Sequence, residues 1–307
     1  MSFRLLTFDD NGTPRAGVLL GETVYDAAQA LAAADIRDAT STLGILAEWD
    51  KALPALEGLC ADAIKAAGRP LAGVRLLAPI LYPGAFFCAA ANYYKHSKEM
   101  NPARNVTREG KQPYFFLKPA MHTTIGPGDP IKVPIVTQKL DWEIELAVVI
   151  GRPAHRLTVE NALECVAGYT IVNDLSARDL AKRDDWQFVS DWFGQKVFDA
   201  AMPMGPWITP ASEIPDPQNV TMKLWVNGEL QQNSKTDDML FNVAEQLEYL
   251  TRRITLRPGD IVATGTPGGV GAPRGIFLKP GDVVRMEIDA IGAMENTVAA
   301  QTPELTR

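Results

Sequence analysis

The chain has 307 residues, 46% of them hydrophobic and 22% charged, the balance of a globular protein with a full core, which excludes disordered, coiled-coil and collagen-like classes. Thirty lysines and arginines against 37 aspartates and glutamates leave a formal net charge of −7, so no nucleic-acid partner is expected, because tracking phosphates needs a basic footprint. At roughly 100–200 residues per domain, the length suits one large domain with a small satellite.

In chain order, Phe3–Phe8, the turn Asp10-Asn11-Gly12 and Ala16–Gly21 predict a β-hairpin, with a short strand ending at Asp26. Alanine-rich stretches over 27–34 and 43–67 have helical spacing. Together they predict a small α/β domain over residues 1–72, closing near Gly68-Arg69-Pro70. Residues 73–307 read differently. Short β-type runs such as YFFLKP, ELAVVIG, AGYTIVND and GDVVRMEID alternate with Gly, Pro and Asp, and only Val159–Cys165 and Phe241–Arg252 predict helices. Without βαβ alternation the fold class is α+β and β-rich, a rolled or sandwiched architecture.

Between Lys95 and Lys111 almost nothing can be buried, and Lys95, Lys98, Arg104, Arg108 and Lys111 outnumber Glu99 and Glu109. A loop of this length is uncommon in a compact domain and often forms a lid; a solvated surface loop is the alternative. Cys60, Cys88 and Cys165 have no metal or disulfide spacing and read as reduced core thiols. The uncharged run Leu76–Tyr94 is interrupted by Pro79, Pro83 and Gly84, and the amino terminus is too short in apolar residues for a signal peptide. The expectation is a cytoplasmic protein with no membrane partner.

The chemistry concentrates in carboxylates. Glu143 and Glu145 precede an apolar run that reads as a strand buried on both faces, and the period of two puts both on one face. A second apolar strand, Gly168–Asn173, ends on Asp174. Carboxylates taken out of water need positive partners. Three of them from strand ends suit a hard divalent cation, Mg²⁺ or Mn²⁺, better than zinc; an edge strand paired with arginines is the competing reading. His96 stands three residues from Glu99, one helical turn away, the spacing of a base and its orienter. His122 and His155 read as structural. The run Gly265–Gly271 lacks the lysine and helix of a phosphate cradle yet offers backbone N–H groups to a small anion. No nucleophile elbow, P-loop or dinucleotide fingerprint occurs.

Eight segments in order, from Asn92-Tyr93-x-x-His96-x-x-Glu99 through FFLKP, DWEIELAVVIG, GYTIVNDLSARD, GQKVFD, VNGELQ and GDIVATGTPGGVG to FLKPGD, resemble the fumarylacetoacetate hydrolase superfamily over residues 73–292. The resemblance implies a rolled mixed β-sandwich, a Mg²⁺ or Mn²⁺ ion and a homodimer. It implies Glu143, Glu145 and Asp174 as metal ligands, His96 with Glu99 as a lid dyad, and Arg178, Lys118 and Lys196 as cations of the site. Tyr93, Gln195, Gly265 and Thr266 fall at substrate-binding positions. Ala181 stands where many members carry glutamine, and Ala90 where they carry glycine. The implied reaction is hydrolysis of the C3–C4 bond of a 2,4-dioxo acid of acylpyruvate type, yielding pyruvate and a carboxylic acid. Decarboxylation of an oxaloacetate-type acid, or enol–keto isomerisation, is the alternative on the same site. A binding module with a structural cation is the non-enzymatic one.

Overall fold

A computed structural model describes residues 2–60, 64, 67–103 and 105–301; Arg104 and five of the alanine-rich residues, 61–63 and 65–66, fall outside. The expected hairpin forms from β1 (Phe3–Asp10) and β2 (Thr13–Leu20). Its turn residues Asn11 and Gly12 take φ of 55° and 87°, the pair of left-handed conformations that matches strand twist in a tight hairpin. β3 (Thr23–Asp26) follows, and Asp26 and Ser41 cap α1 (Ala27–Ala30) and α2 (Thr42–Ala47). The continuous helix expected from residue 43 onward breaks at Glu48, whose φ and ψ of −121° and 39° leave the helical region, and α3 (Trp49–Glu57) starts anew. Glu48 is held there by Arg37, whose backbone N–H and Nε both donate to its carboxylate.

Two-residue strands and the short helix Ala120–Thr123 aside, the longer elements that follow are β4 (Phe86–Ala89), α4 (Tyr94–Met100), β5 (Phe115–Lys118), β6 (Ile131–Val133), β7 (Ile144–Ile150), β8 (Val166–Asn173), α5 (Trp192–Lys196), β9 (Met202–Pro210), β10 (Thr221–Val226), β11 (Glu229–Lys235), α6 (Val243–Thr251), β12 (Ile261–Ala263), β13 (Val283–Ile288) and β14 (Gly292–Ala300). The large sheet runs β3-β2-β1-β9-β8-β7-β12-β4-β5, and a five-stranded sheet runs β11-β10-β13-β14-β6. Most pairs are antiparallel, but β12/β4 and β14/β6 are parallel. This is the mixed, sheet-rich α+β architecture expected. Leu5 of β1 stands opposite Ile208 of β9, so the amino-terminal strands extend the large sheet.

Both faces of β7 are covered. Leu146, Val148 and Ile150 face the five-stranded sheet and α6, with Tyr169, Ile171 and Met286. Ala147 and Val149 face the other way, with Phe86, Cys88, Val172 and Trp49 of α3. Of the two helices expected here, α6 forms with a capping box between Asn242 and Glu245. Val159–Cys165 shrinks to one 3₁₀ turn, Ala162–Cys165. Cys88 and Cys165 are buried as expected, whereas Cys60 is exposed. Among the described residues no helix is long and apolar enough to cross a membrane.

Candidate active site

Strand register builds the site. Ile144 pairs with Asn173 and Glu145 with Val172, so one step beyond the strand Glu143 stands opposite Asp174, the backbone N–H of Asp174 donating to its carbonyl at 2.9 Å. The parity that sends Leu146 and Val148 to one core sends Glu143, Glu145 and, from β8, Asp174 to the other face. One oxygen from each of the three lies within 4.8 Å of the others, and all three side chains are buried.

Cations crowd this face. Arg178 Nη2 donates to Glu143 at 2.6 Å, and Lys196 Nζ bridges Glu143 and Asp174 at 2.8 and 2.7 Å. Lys118 Nζ lies 2.5 Å from Asp174 Oδ1 and also donates to the carbonyls of Leu175 and Ala201, so its three N–H groups are shared among three oxygens. Among the described residues Glu145 receives only the N–H of Gly265, at 2.7 Å.

The titrations separate accordingly. Burial acts to raise Glu143, yet Lys196 and Arg178 outweigh it and hold the carboxyl well below the usual range. Glu145 is pushed well above that range by burial, then by Asp174 and Glu143. Burial acts to lower Lys196, but Asp174 and Glu143 push it up to about 12. Lys118 is drawn down by burial, with Asp174 offsetting only part.

This donor set fits a hard divalent cation. It is all oxygen and converges within 4.8 Å. A protein ammonium already stands between two of the carboxylates, while the third is short of positive charge. The competing arginine pairing holds only for Glu143.

His96 and Glu99 sit on α4, a short helix where the sequence predicted a loop, with His96 buried and its Nδ1 3.0 Å from Oε1. His96 shares a cavity of about 180 Å³ with the three carboxylates, Arg178 and Lys196. Gln195 and Thr266 line it too, although the Thr266 hydroxyl is spent, donating to the carbonyl of Ile144 and accepting from Gln232. A cleft of about 500 Å³ shares Ala90, Ala91 and Trp192 with this cavity and carries it outward.

Three expected site residues are placed otherwise. Tyr93 is fully buried in the core with its hydroxyl 3.4 Å from Met222 Sδ, because the helix start turns the ring inward. Gly265 holds Glu145 from behind, and Lys118 backs Asp174 without lining the cavity. Neither His122 nor His155 lines it. Sequence reading passed over Asp141, Asn173 and Gln232. Asn173 accepts the N–H of Glu143, and Gln232 that of Ile144. The signal available was their burial beside the glutamates, which in β11 is hidden by the otherwise polar run Glu229–Lys235.

The fumarylacetoacetate (FAA) hydrolase C-terminal family matches residues 85–299, a span that contains every element of this site. The chain belongs to the fumarylacetoacetate hydrolase family. It is 41% identical over 230 residues to the mitochondrial oxaloacetate tautomerase fahd2 of Xenopus laevis, covering 73% of this chain and 68% of that protein. Among solved structures, the fumarylacetoacetate hydrolase of psychrophilic Exiguobacterium antarcticum is 36% identical, with a TM-score of 0.79 over 98% of this chain and 100% of the other. Maleylpyruvate hydrolase of Sphingobium sp. SYK-6, solved with manganese(II) and pyruvate, is 30% identical with a TM-score of 0.77, covering 97% and 100%. The family is one of enzymes, and a divalent cation suits both the manganese-bound neighbour and the acidic triad here.

Proposed function

We propose that this family member is a divalent-cation-dependent enzyme that moves a proton on an enolisable 2-oxo acid, interconverting the enol and keto forms of oxaloacetate. The observation that carries this reading is the His96 imidazole lining the same cavity as the three carboxylates. Its Nδ1 is engaged by Glu99, which leaves Nε2 as the nitrogen available to a bound molecule.

Glu143, Glu145 and Asp174 would hold the ion, Mg²⁺ or Mn²⁺, which when bound supplies Lewis-acid polarisation of a keto oxygen. His96 takes the proton from the enol hydroxyl or from C3 and returns it at the other position, so atoms and charge balance with no water consumed. Glu99 orients the imidazole through its Nδ1 contact. Arg178 and Lys196 bring positive charge to a wall on which negative charge develops, a contribution on the order of 3–4 kcal/mol for a well-placed donor. Phe116, Met100 and Trp192 complete an apolar lining that limits water.

The second reading is hydrolytic cleavage of an acylpyruvate, with His96 taking the proton from an attacking water; the pyruvate in the Sphingobium neighbour supports it. The two separate in one assay. Enolic oxaloacetate, followed by its near-ultraviolet band with Mg²⁺ or Mn²⁺, should ketonise faster with enzyme than without, and chelator should remove the difference. Stoichiometric pyruvate and acid from acylpyruvates, with oxaloacetate relaxing at its spontaneous rate, would replace this reading with hydrolysis. Release of CO₂ would replace it with decarboxylation. We further propose a cytoplasmic homodimer; the Xenopus relative carries a mitochondrial name, so cell fractionation decides the compartment.

A further inference from the structure

Asp141 stands two residues before Glu143, is fully buried, and does not line the cavity. Its Oδ1 accepts the backbone N–H groups of Trp142 and Gly271 at 2.9 and 2.7 Å. Its Oδ2 accepts the N–H of Ala272 at 3.0 Å and Arg178 Nε at 2.8 Å. Arg178 then reaches Glu143 at 2.6 Å through Nη2. The glycine run that Asp141 grips also touches the other side of the site. The N–H of Gly269 donates to Glu99 Oε2 at 2.8 Å, and Glu99 Oε1 is the partner of His96 at 3.0 Å. A Cβ at Gly271 would fall 2.9 Å from Asp141 Oδ1 and 2.0 Å from the carbonyl of Ile276, so the close approach of loop and carboxylate depends on glycine there.

We propose that Asp141 is a positioning residue that sets where the His96–Glu99 pair stands relative to Glu143, acting through Arg178 on one side and the Gly269–Ala272 loop on the other. A buried carboxylate with every acceptor used is rigid, because losing any partner strands charge in a dry interior. Each of its two arms is short, and each ends on a residue that lines or orients the cavity. Asparagine in its place can keep Trp142 and Gly271 on Oδ1, but turns an amide NH₂ toward Ala272 N–H and Arg178 Nε, donor against donor. The substitution therefore releases Arg178 and half of the loop grip while preserving shape.

The kinetic arm of the test rests on the proton-transfer reading; the exchange arm does not. Asp141→Asn, Arg178→Gln and the double variant are compared in the full chain. Outer partners of this kind are worth about 10–100-fold in activity, so kcat in Asp141→Asn should fall at least about tenfold with KM within about twofold. Because the two residues share one arm, the double variant should lose less than the product of the two single losses. Hydrogen exchange of residues 268–273 should slow on adding Mn²⁺ in the parent protein and respond little in Asp141→Asn. Unchanged kcat in folded Asp141→Asn, losses that multiply in the double variant, or an exchange response to Mn²⁺ that survives the substitution would each overturn the proposal. Should Asp141→Asn not fold, Glu99→Gln combined with Arg178→Gln reads the same linkage with Asp141 intact: coupled losses support it and independent losses overturn it. Absence of turnover on any 2-oxo acid strikes the proposed reaction, and the exchange arm then decides this inference alone.

Discussion

Glu145 is the carboxylate with least positive company, bonded to one backbone N–H and facing Asp174 and Glu143. Its folded pKa is raised above the unfolded value of about 4.3, so in that window the folded state keeps a proton that the unfolded chain releases. Stability therefore falls as pH climbs from the unfolded value through the folded one. Glu145→Gln should raise the Tm of the metal-free protein near neutral pH, by about 1–2 °C for each kcal/mol of unfavourable burial and repulsion relieved; calorimetry that finds a lower Tm sinks this account. The same variant should lose Mn²⁺ binding. In the parent, titration calorimetry in buffers of different ionisation enthalpy should report proton release on Mn²⁺ binding, with affinity improving as pH rises. The convergence of 143, 145 and 174 was legible because a period of two and strand-end acids are local signals. Asp141 and Gln232 were not, since their partners lie 130 residues away at Gly271 and 88 away at Ile144, distances no local pattern reports.

At the scale of elements, α4 decides the chemistry. Three residues of spacing became a 3.0 Å contact because Lys95–Met100 winds into a helix that buries His96, and a charged composition concealed that burial from the sequence. His96→Ala should lower turnover by about 10²–10⁴-fold while Mn²⁺ affinity by calorimetry stays within about twofold; loss of ion binding would mean that the imidazole is a ligand instead of a base. The sheet beneath has its own tight spot. A Cβ on Gly168 in β8 would lie 2.1 Å from the carbonyl of Thr209 in β9, backbone that cannot yield without parting the two strands. Gly168→Ala should cost about 1–3 kcal/mol or more in denaturant unfolding; an unchanged midpoint would show that the strands part freely. Helix lengths were the poorest reading. The alanine-rich segment has helical spacing throughout, yet the tertiary grip of Arg37 on Glu48 splits it, and propensity is a weak prior against such contacts.

For the whole molecule, class and layering follow from composition in the run of short strands, but the pairing of β1 with β9, joining Leu5 to Ile208, is invisible to any window along the chain. The surface adds a further expectation. Trp186, Phe188 and Phe193 are 63%, 66% and 71% exposed, on and beside a loop closed by the Lys182–Ser190 bridge. Isolated apolar residues are ordinary, but large ones grouped together mark contact surfaces. The proposed homodimer should sediment at twice the chain mass, and Trp186→Asp with Phe188→Asp should shift it to the monomer; a parent that sediments as a monomer ends that proposal.

The cluster around Lys196 has one more consequence. Four acids, Asp141, Glu143, Glu145 and Asp174, face three bases, Lys118, Arg178 and Lys196, and only Glu145 has no base in contact with it among the described residues. Three of the four acids thus have a protein cation beside them before any ion arrives. A chain made while metal is scarce should therefore still fold, and wait idle until the ion is supplied.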